Sequence, residues 1–257
     1  EQIALAIDKK YKEEKIIQYS EELKESNATK DKFFSILAHD LKSPFHGLLG
    51  LTRMIVEEYD LLKEDEVKSY LKAIKDSTES TYKLIENLLE WSRLQSGKMK
   101  YNPALQNMFT IVEDSRILLN QVANLKNINL RNKLGHDSFI WGDDNMLQSL
   151  IQNLISNAIK FTPSGGSIEI SENQFDNYTE YIVSDTGVGI KEADIDKLFR
   201  IDVSFTTIGT QQEKGTGLGL ALCKEIVNIH GGDISLTSKV GVGTQIIFTL
   251  NKPKNYQ

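Results

Sequence analysis

The sequence contains little cysteine or proline and no long hydrophobic run. Its single cysteine, Cys223, cannot form an internal disulfide, and the apolar neighbours 220–222 predict a buried structural thiol in a reducing compartment. No apolar stretch approaches the roughly 18 residues that a membrane-spanning helix needs, and no signal peptide opens the chain. We therefore expect no membrane contact within this sequence and a cytoplasmic location. Because the chain begins at Glu1, we interpret it as a fragment, which is compatible with a membrane-anchored sensor elsewhere.

Basic residues are also fewer than acidic residues. The 30 lysine and arginine residues are outnumbered by 36 acidic residues, which gives a net charge of −6. This balance argues against a nucleic-acid-binding protein, because such proteins need a basic surface. The 40% of hydrophobic residues is enough for a packed core, so the composition also argues against intrinsic disorder.

The helical first part of the chain carries two amphipathic helices. Residues 1 to about 58 predict one long helix, whose apolar positions from Phe34 to Ile55 repeat in steps of three and four, broken only by Pro44. A second helix has a similar stripe from Val67 to Leu88 and is predicted to end at Gly97. Because a lone hairpin cannot cover both stripes, we predict a homodimer built as a four-helix bundle.

The glycine-richer second part alternates β-type runs with helices and is predicted to fold as an α+β two-layer sandwich. Helices are expected near residues 109–125, near 217–230, and from a cap at Asp143 or Asp144 to Phe161. After an extended segment at 98–107, strands are expected around residues 128–132, 138–141, 168–170, 181–183, 234–236 and 246–250.

The helix ending at Phe161 carries three polar residues on one side. At 100° per residue, Asn153, Asn157 and Lys160 fall within about 60° of one another, beside an apolar face. They are either solvated boundary residues or a site in which an amide oxygen ligates a hard cation and the lysine takes phosphate charge.

Asp185 follows a predicted strand and is followed in turn by Gly187 and Gly189. A tight turn explains this pattern. The same pattern also suits a nucleobase that approaches the backbone closely, with the carboxylate accepting a hydrogen bond from the exocyclic amine of adenine.

The glycine-rich segment Gly215–Leu220 leads into a helix, and such a helix start offers backbone N–H groups to an anion. Its spacing differs from the dinucleotide-binding fingerprint, and the lysine of a P-loop does not follow it. Residues 200–214 before it lack apolar periodicity, and ordered loops of that length are usually functional lids.

Taken together, these motifs resemble those of two-component sensor histidine kinases, whose ATP-binding domain has the Bergerat-type fold. Asn153–Phe161 is similar to the N box of that family, Asp185–Gly189 to its G1 box, and Gly215–Gly219 to its G2 box. Gly241–Leu250 resembles the closing hairpin, and Phe34–Pro44 resembles the H box of the dimerisation and phosphotransfer domain.

The resemblance implies three regions and one reaction. Residues 1–27 would be a helical connector from an upstream sensor domain, 28–97 the dimerisation and histidine phosphotransfer domain, and 98–257 the catalytic ATP-binding domain. The chain would use ATP and Mg²⁺ to phosphorylate His39 and would pass the phosphoryl group to an aspartate of a response-regulator receiver domain.

The resemblance also assigns roles to single residues. Asp40 would be the base or orienting partner of His39, Asn157 would hold Mg²⁺, and Arg200 would support catalysis from the lid. The hydroxyl of Ser43 can position water, which would allow phosphatase activity toward the regulator. The residues expected around ATP are Asn153, Lys160, Phe161, Asp185, Gly187, Gly189, Lys214, Gly215, Thr216, Gly217, Leu218 and Gly219.

Helical periodicity gives a separate argument for His39. With Phe34 and Leu41 at heptad position a, His39 falls at position f, away from the bundle seam. Its neutral imidazole is well populated at physiological pH, and Asp40 beside it can fix the tautomer that leaves Nε2 free to attack. The remaining histidines, His46, His136 and His230, are interpreted as structural or solvated.

Two other functions stay open at this stage. One is a Bergerat-fold ATPase that drives conformational change, which predicts phosphate release without labelled protein and leaves His39 and Asp40 unexplained. The other is a degenerate kinase that acts as a dimeric signalling scaffold, which predicts ATP binding without turnover.

Overall fold

The computed structural model describes residues 2–95, 100–203, 205–211, 213 and 215–252. The chain divides into two compact units, Glu1–Thr78 with Ile201–Ser204 and Glu79–Arg200 with Phe205–Gln257. The division falls within the second helix, earlier in the chain than the predicted boundary at residue 97. Of the helices that lie in the described ranges, none contains a stretch long and apolar enough to cross a membrane.

Two long helices form the first part of the chain, as the periodicity predicts. Helix α1 spans Gln2–Glu57 and continues through Pro44, and a short 3₁₀ turn at Tyr59–Leu61 connects it to helix α2, Glu64–Gln95. Glu66 stabilises the start of α2, because its carboxylate accepts a hydrogen bond of 2.9 Å from the backbone N–H of Lys63. The predicted end of this helix at Gly97 lies outside the described residues.

The first predicted position of the apolar stripe of α1 is exposed in the single chain. Phe33 is fully buried, whereas Phe34 is 60% exposed. Because adjacent residues on a helix point about 100° apart, only one of the two phenylalanines can lie on the buried side. In the single chain the buried phenylalanine is therefore Phe33, and burial of Phe34 against a second copy stays a prediction. From Leu37 onward, the predicted seam positions are buried or half-buried.

The second unit is a two-layer α/β sandwich, as predicted. Besides the second half of α2, its helices are α3 (Met108–Leu125), α4 (Asp144–Phe161), the single turn α5 (Glu192–Ile195) and α6 (Gly219–Ile229). Its strands are β1 (Ala104–Asn107), β2 (Asn129–Asn132), β3 (Phe139–Gly142), β4 (Ser167–Gln174), β5 (Tyr178–Asp185), β6 (Ile234–Lys239) and β7 (Gly243–Asn251).

Five of these strands form one sheet in the order β2-β4-β5-β7-β6. Strands β2 and β4 run parallel and the other neighbours are antiparallel, while β1 and β3 form a separate antiparallel pair. Strands β4 and β5 extend beyond their predicted ends into polar residues such as Glu172 and Asn173, where apolar alternation is lost but backbone pairing continues.

The core lies between this sheet and helices α3, α4 and α6. Alternate residues of the strands point into it, and burial of each large apolar side chain contributes about 1.5–3 kcal/mol. Fully or almost fully buried side chains in this core include Val112, Leu147, Leu150, Ile151, Leu154, Ile155, Ile168, Ile170, Tyr181, Leu222, Ile226 and Phe248. Cys223 also lies here, which confirms that its thiol is buried as predicted, and burial raises the pKa of this thiol.

His230 joins the end of α6 to the start of α4 and is structural. Its Nδ1 lies 2.7 Å from the carbonyl oxygen of Ile226, and its Nε2 accepts a hydrogen bond of 3.0 Å from the backbone N–H of Asp143. Only the neutral tautomer with hydrogen on Nδ1 satisfies both partners. Burial lowers the pKa of this imidazole, partly offset by its contact with Ile226 and by the charge of Asp143.

This arrangement predicts acid sensitivity of the second unit. Because the pKa of His230 is lower in the folded chain than in the unfolded chain, its contribution is complete above pH ~6.5 and is lost as the pH falls toward the lowered value. We expect the free energy of unfolding to fall below pH ~6.5 by up to about 1.4 kcal/mol per pH unit. Denaturant unfolding at pH 5 to 8 checks this. The decline should be smaller in His230→Gln and unchanged in the exposed His46→Gln, and equal slopes in all three proteins would contradict it.

Candidate active site

Helix α4 brings the three polar residues of the N-box-like segment to one cavity. Asp143 caps this helix by accepting a hydrogen bond of 3.2 Å from the N–H of Met146, which decides between the two predicted caps. The apolar side of α4 is buried in the core, so Asn153, Asn157 and Lys160 are left half-buried on its opposite edge. All three line a cavity of about 470 Å³.

Asp185 lies at the end of β5 and lines the same cavity. Its Oδ1 accepts hydrogen bonds from two backbone N–H groups, at 2.7 Å from Gly187 and 3.2 Å from Thr244 on β7. Burial raises the pKa of this carboxyl, and the two backbone hydrogen bonds partly oppose that effect. The second carboxylate oxygen can therefore accept a hydrogen bond from a ligand amine inside the cavity.

The glycines after Asp185 are required by close backbone approaches. A Cβ at Gly187 would lie 2.7 Å from the carbonyl oxygen of Phe161, at the end of α4. Gly189 has a φ of +69°, and a Cβ there would collide with the carbonyl oxygen of Lys239. This turn is therefore held against the end of α4, which brings Asp185 and the N-box-like residues together.

The glycine-rich segment before α6 faces the polar edge of α4. A Cβ at Gly215 would lie 2.6 Å from Nζ of Lys160, and one at Gly219 would lie 3.2 Å from Oδ1 of Asn153. Gly217 has a φ of +73°, which is unfavourable for other residues. Helix α6 begins at Gly219, and the apolar side chain of Leu218 cannot cap it, so its first N–H groups are suited to an anion in the cavity.

The loop between α5 and α6 also contributes to the cavity. Phe205, Thr206, Thr207 and Ile208 line it, and Nζ of Lys160 donates a hydrogen bond of 3.1 Å to the carbonyl oxygen of Thr207. The same ammonium lies 4.5 Å from the ring centre of Phe161.

The described residues place most of the predicted ATP site in one cavity. Asn153, Asn157, Lys160, Phe161, Asp185, Gly189, Gly215, Thr216, Gly217 and Gly219 line it. Gly187 and Leu218 are not among the lining residues; Gly187 donates a hydrogen bond to Asp185, and Leu218 is buried. Arg200 is exposed and is not among the lining residues, and Lys214 lies outside the described residues.

The H-box-like residues lie on α1, in the first unit. The His39 side chain is 83% exposed, as its heptad position predicts. Its Nδ1 lies 3.1 Å from Oδ1 of Asp40. When Nδ1 carries the ring hydrogen and donates it to Asp40, Nε2 keeps its lone pair and points away from that partner. Ser43 is exposed four residues later on the same helix.

Two contacts at this cavity were not predicted from the sequence. Thr244 belongs to the hairpin-like segment Gly241–Leu250 and lines the cavity, but the hydrogen bond from its backbone N–H to Asp185 joins residues that are distant in sequence. Lys126, which precedes β2, reaches the end of α4 with a side chain that is only 2% exposed. Both contacts depend on the sheet and helix packing, and residue type alone does not reveal them.

Comparison with family models gives two matches. The model described as His Kinase A (phospho-acceptor) domain matches residues 29–97. The model described as histidine kinase-, DNA gyrase B-, and HSP90-like ATPase matches residues 142–254. Together they cover well over half of the chain, in the order that the sequence motifs predict.

Individual known proteins indicate the same family as the two family models. The chain is 33% identical, over 85% of its length, to the circadian input-output histidine kinase CikA of Synechococcus elongatus. Its structure resembles the catalytic domain of histidine kinase ThkA, with 27% identity, a TM-score of 0.52, and coverage of 59% of this chain and 96% of that one. It also shares the fold of ThkA solved in complex with the response regulator TrrA, with 21% identity, a TM-score of 0.69, and coverage of 86% and 61%. The chain spans only 29%, 30% and 43% of three longer curated relatives.

Proposed function

We propose that this chain, which belongs to the family of two-component sensor histidine kinases, transfers the γ-phosphoryl group of ATP to its own His39. The phosphoryl group then passes to an aspartate of a response-regulator receiver domain. The observation that carries this proposal is the presence, on one chain, of an exposed histidine paired with Asp40 and a cavity lined by all three nucleotide-binding motifs.

The chemistry of the first step is a direct displacement at phosphorus. The lone pair of Nε2 of His39 forms the new N–P bond, the bond from the γ-phosphorus to the bridging oxygen breaks, and ADP leaves with that electron pair. Asp40 holds the hydrogen on Nδ1 and balances the positive charge that develops on the ring. In the second step, a carboxylate oxygen of the receiver attacks the phosphorus and the imidazole leaves.

The cavity would hold the nucleotide by its two ends. Asp185 accepts a hydrogen bond from the exocyclic amine of adenine, while Lys160 and the N–H groups at the start of α6 meet the phosphates. Lys160 is suited to that role because Gly215 leaves room for its ammonium beside the glycine-rich segment. Burial lowers the pKa of Lys160, and the neighbouring Glu213 opposes that effect and favours the charged form.

The donor set in the cavity fits Mg²⁺ shared with a nucleotide. Asn157 supplies an amide oxygen, a hard ligand of the kind this ion prefers. Within the described residues, no three acidic, histidine or cysteine side chains converge on a metal site, so the ion would take its other ligands from phosphates and water. Bound there, Mg²⁺ would neutralise charge on the phosphates.

The partners and location follow from the same proposal. The half-buried stripe of α1 and exposed apolar side chains such as Leu49 and Leu71 favour a second copy, which would complete a four-helix bundle. We infer a cytoplasmic location, where ATP is available. An upstream sensor domain and phosphatase activity through Ser43 stay predictions.

Incubation of the chain with γ-labelled ATP tests the proposal. We expect Mg²⁺-dependent label on the protein that is stable to base and labile to acid, and that maps to the α1 peptide containing His39. EDTA should abolish the label. Steady phosphate release without labelled protein would favour the ATPase alternative, and ADP binding without either product would favour the scaffold alternative.

A further inference from the structure

A buried lysine contacts the end of α4 and the loop before α6, both of which line the cavity, and it lies outside the three nucleotide-binding motifs. Lys126 follows α3, and its side chain is only 2% exposed. Lysine is almost never buried unless its charge is paired, because removal of an ammonium from water is costly. The partners of this side chain therefore indicate what it holds together.

Two partners of Lys126 are carbonyl groups in the last turn of α4. Its Nζ lies 2.9 Å from the carbonyl oxygen of Ile159 and 3.2 Å from that of Lys160. These groups lack helical partners at a helix C-terminus, where a positive charge is also favoured by the helix dipole. Lys126 thus stabilises the end of the helix that carries the N-box-like residues.

The other two partners belong to the loop between α5 and α6. Nζ of Lys126 lies 2.9 Å from Oγ1 of Thr210 and 2.5 Å from Oε1 of Glu213. We call Gly209, Thr210, Gln211 and Glu213 the lid base. One ammonium therefore connects the lid base to the end of α4.

The lid base has further contacts with the same helix end. The backbone N–H of Thr210 donates a hydrogen bond of 3.0 Å to the carbonyl oxygen of Lys160, and its hydroxyl lies 3.0 Å from the carbonyl oxygen of Thr162. Glu213 folds back onto the lid base, where its carboxylate accepts a hydrogen bond of 2.7 Å from the N–H of Gln211. Gly209 is buried so closely against Lys160 that a Cβ there would lie 2.6 Å from Cγ of that lysine.

The lid base ends where the cavity begins. Thr207 and Ile208, directly before it, line the cavity, and Thr207 accepts the hydrogen bond from Nζ of Lys160. Gly215, two residues after Glu213, also lines the cavity beside that ammonium. The position of the lid base therefore determines the positions of both loop segments that contact Lys160.

We propose that Lys126 is a positioning residue for ATP binding, which rests on the proposed function of the cavity. Its ammonium, paired with Glu213, fixes the lid base to the end of α4, so that Lys160, Thr207 and Gly215 lie together before the phosphates arrive. The negative charge of Glu213 also compensates that of Lys126, and the ammonium of Lys160 stays available to the nucleotide.

Nucleotide binding by three variants tests this proposal. Glu213→Gln removes the charge but keeps the size, Thr210→Val removes the hydroxyl, and Lys126→Met removes the ammonium. We expect ADP affinity, measured by calorimetry, to fall at least about tenfold in Lys126→Met and several-fold in the other two. The KM for ATP should rise by similar factors while kcat at saturating ATP changes less than about threefold, because the lost contacts affect bound ground state and transition state alike.

A matched control pair is present in the same unit. Lys133 and Glu169 form an ion pair of 2.7 Å away from the cavity-lining residues, with side chains 53% and 37% exposed. Lys133→Met and Glu169→Gln should leave ADP affinity and the KM for ATP unchanged. Affinity losses in these controls equal to those of the Lys126 and Glu213 variants would overturn the proposal.

Folding and coupling are measured alongside binding. If Lys126→Met fails to fold, Glu213→Gln and Thr210→Val decide the outcome, and ADP binding by both within about twofold of the parent chain overturns the proposal. If Lys126→Met folds, its combination with Glu213→Gln should weaken binding by less than the product of the single effects, because the two residues act as a pair. Calorimetry with ADP needs no phosphoryl transfer, so it distinguishes failure of this proposal from failure of His39 labelling.

Discussion

Replacement of His39 by glutamine is expected to reduce the phosphorylation of the chain by ATP at least about 1000-fold, to the background of the assay. The amide of glutamine has no nucleophilic lone pair comparable to that of the imidazole Nε2, so the N–P bond cannot form. Because the His39 side chain is 83% exposed and glutamine is a good helix former, we expect the fold and the affinity for ADP to be unchanged. Label incorporation from γ-labelled ATP and ADP calorimetry on the same samples measure both quantities.

His46 provides the matched control for this substitution. It lies one heptad after His39, is likewise exposed on α1, and lacks an acidic neighbour in sequence. His46→Gln should incorporate label at the rate of the parent chain. If His39→Gln still acquires acid-labile label, or if His46→Gln loses it equally, His39 is not the acceptor.

Replacement of Asp185 by asparagine is expected to weaken ADP binding by about 10- to 100-fold, which corresponds to the ~1.5–3 kcal/mol of a hydrogen bond to a charged group. Asparagine keeps one oxygen that can accept from the N–H groups of Gly187 and Thr244, so the turn should persist. It loses the carboxylate that faces the cavity. Discrimination between ADP and GDP should also shrink, because an amide can donate to the carbonyl of guanine.

The pH dependence of ADP binding gives an independent check of the same residue. Burial raises the pKa of Asp185, so this carboxyl takes up a proton at a higher pH than an exposed aspartate does. ADP affinity should therefore fall on acidification in the parent chain, and this part of the decline should be absent in Asp185→Asn. Asp176→Asn, in the exposed turn between β4 and β5, should behave like the parent chain. Equal pH profiles for the parent chain and Asp185→Asn would contradict the assigned role.

The predicted site residues lie together most completely where the motif is local in sequence, and their roles toward ATP stay predictions. Asn153, Asn157 and Lys160 share one edge of α4 because helical geometry fixes their spacing, and apolar periodicity indicates which side of the helix is buried. The glycines after Asp185 were predicted either for a tight turn or for a nucleobase close to the backbone, and the structure shows a turn whose glycines also approach other protein backbone. The structure shows which backbone each one meets, the carbonyls of Phe161 and Lys239.

Predictions in the lid were less complete, because the loop has no repeating pattern. Arg200 was predicted to support catalysis and is exposed outside the set of cavity-lining residues, whereas Phe205 and Thr207 line the cavity. Lys214 lies outside the described residues, so its role stays a prediction. The one-turn helix α5 was not predicted, because four residues are too few to establish a helical period.

The buried lysine illustrates the limit of sequence reasoning most clearly. A lysine in a polar connection, such as Lys126, ordinarily lies in water, and its neighbours in sequence give no reason to expect otherwise. Its burial is decided by two segments far along the chain, the end of α4 and the lid base, which supply the carbonyls and the carboxylate around it.

Local patterns in the sequence were therefore sufficient to predict the helices, the principal strands, the exposed face of His39 and the nucleotide-binding motifs. Each of these depends on short-range periodicity or on the special backbone freedom of glycine. Tertiary packing alone decided which backbone groups hold Asp185, which phenylalanine of α1 is buried, and how Lys126 reaches Glu213. The physical reason is that burial and charge pairing depend on distances between remote segments, and those distances exist only once the sheet and its helices have packed together.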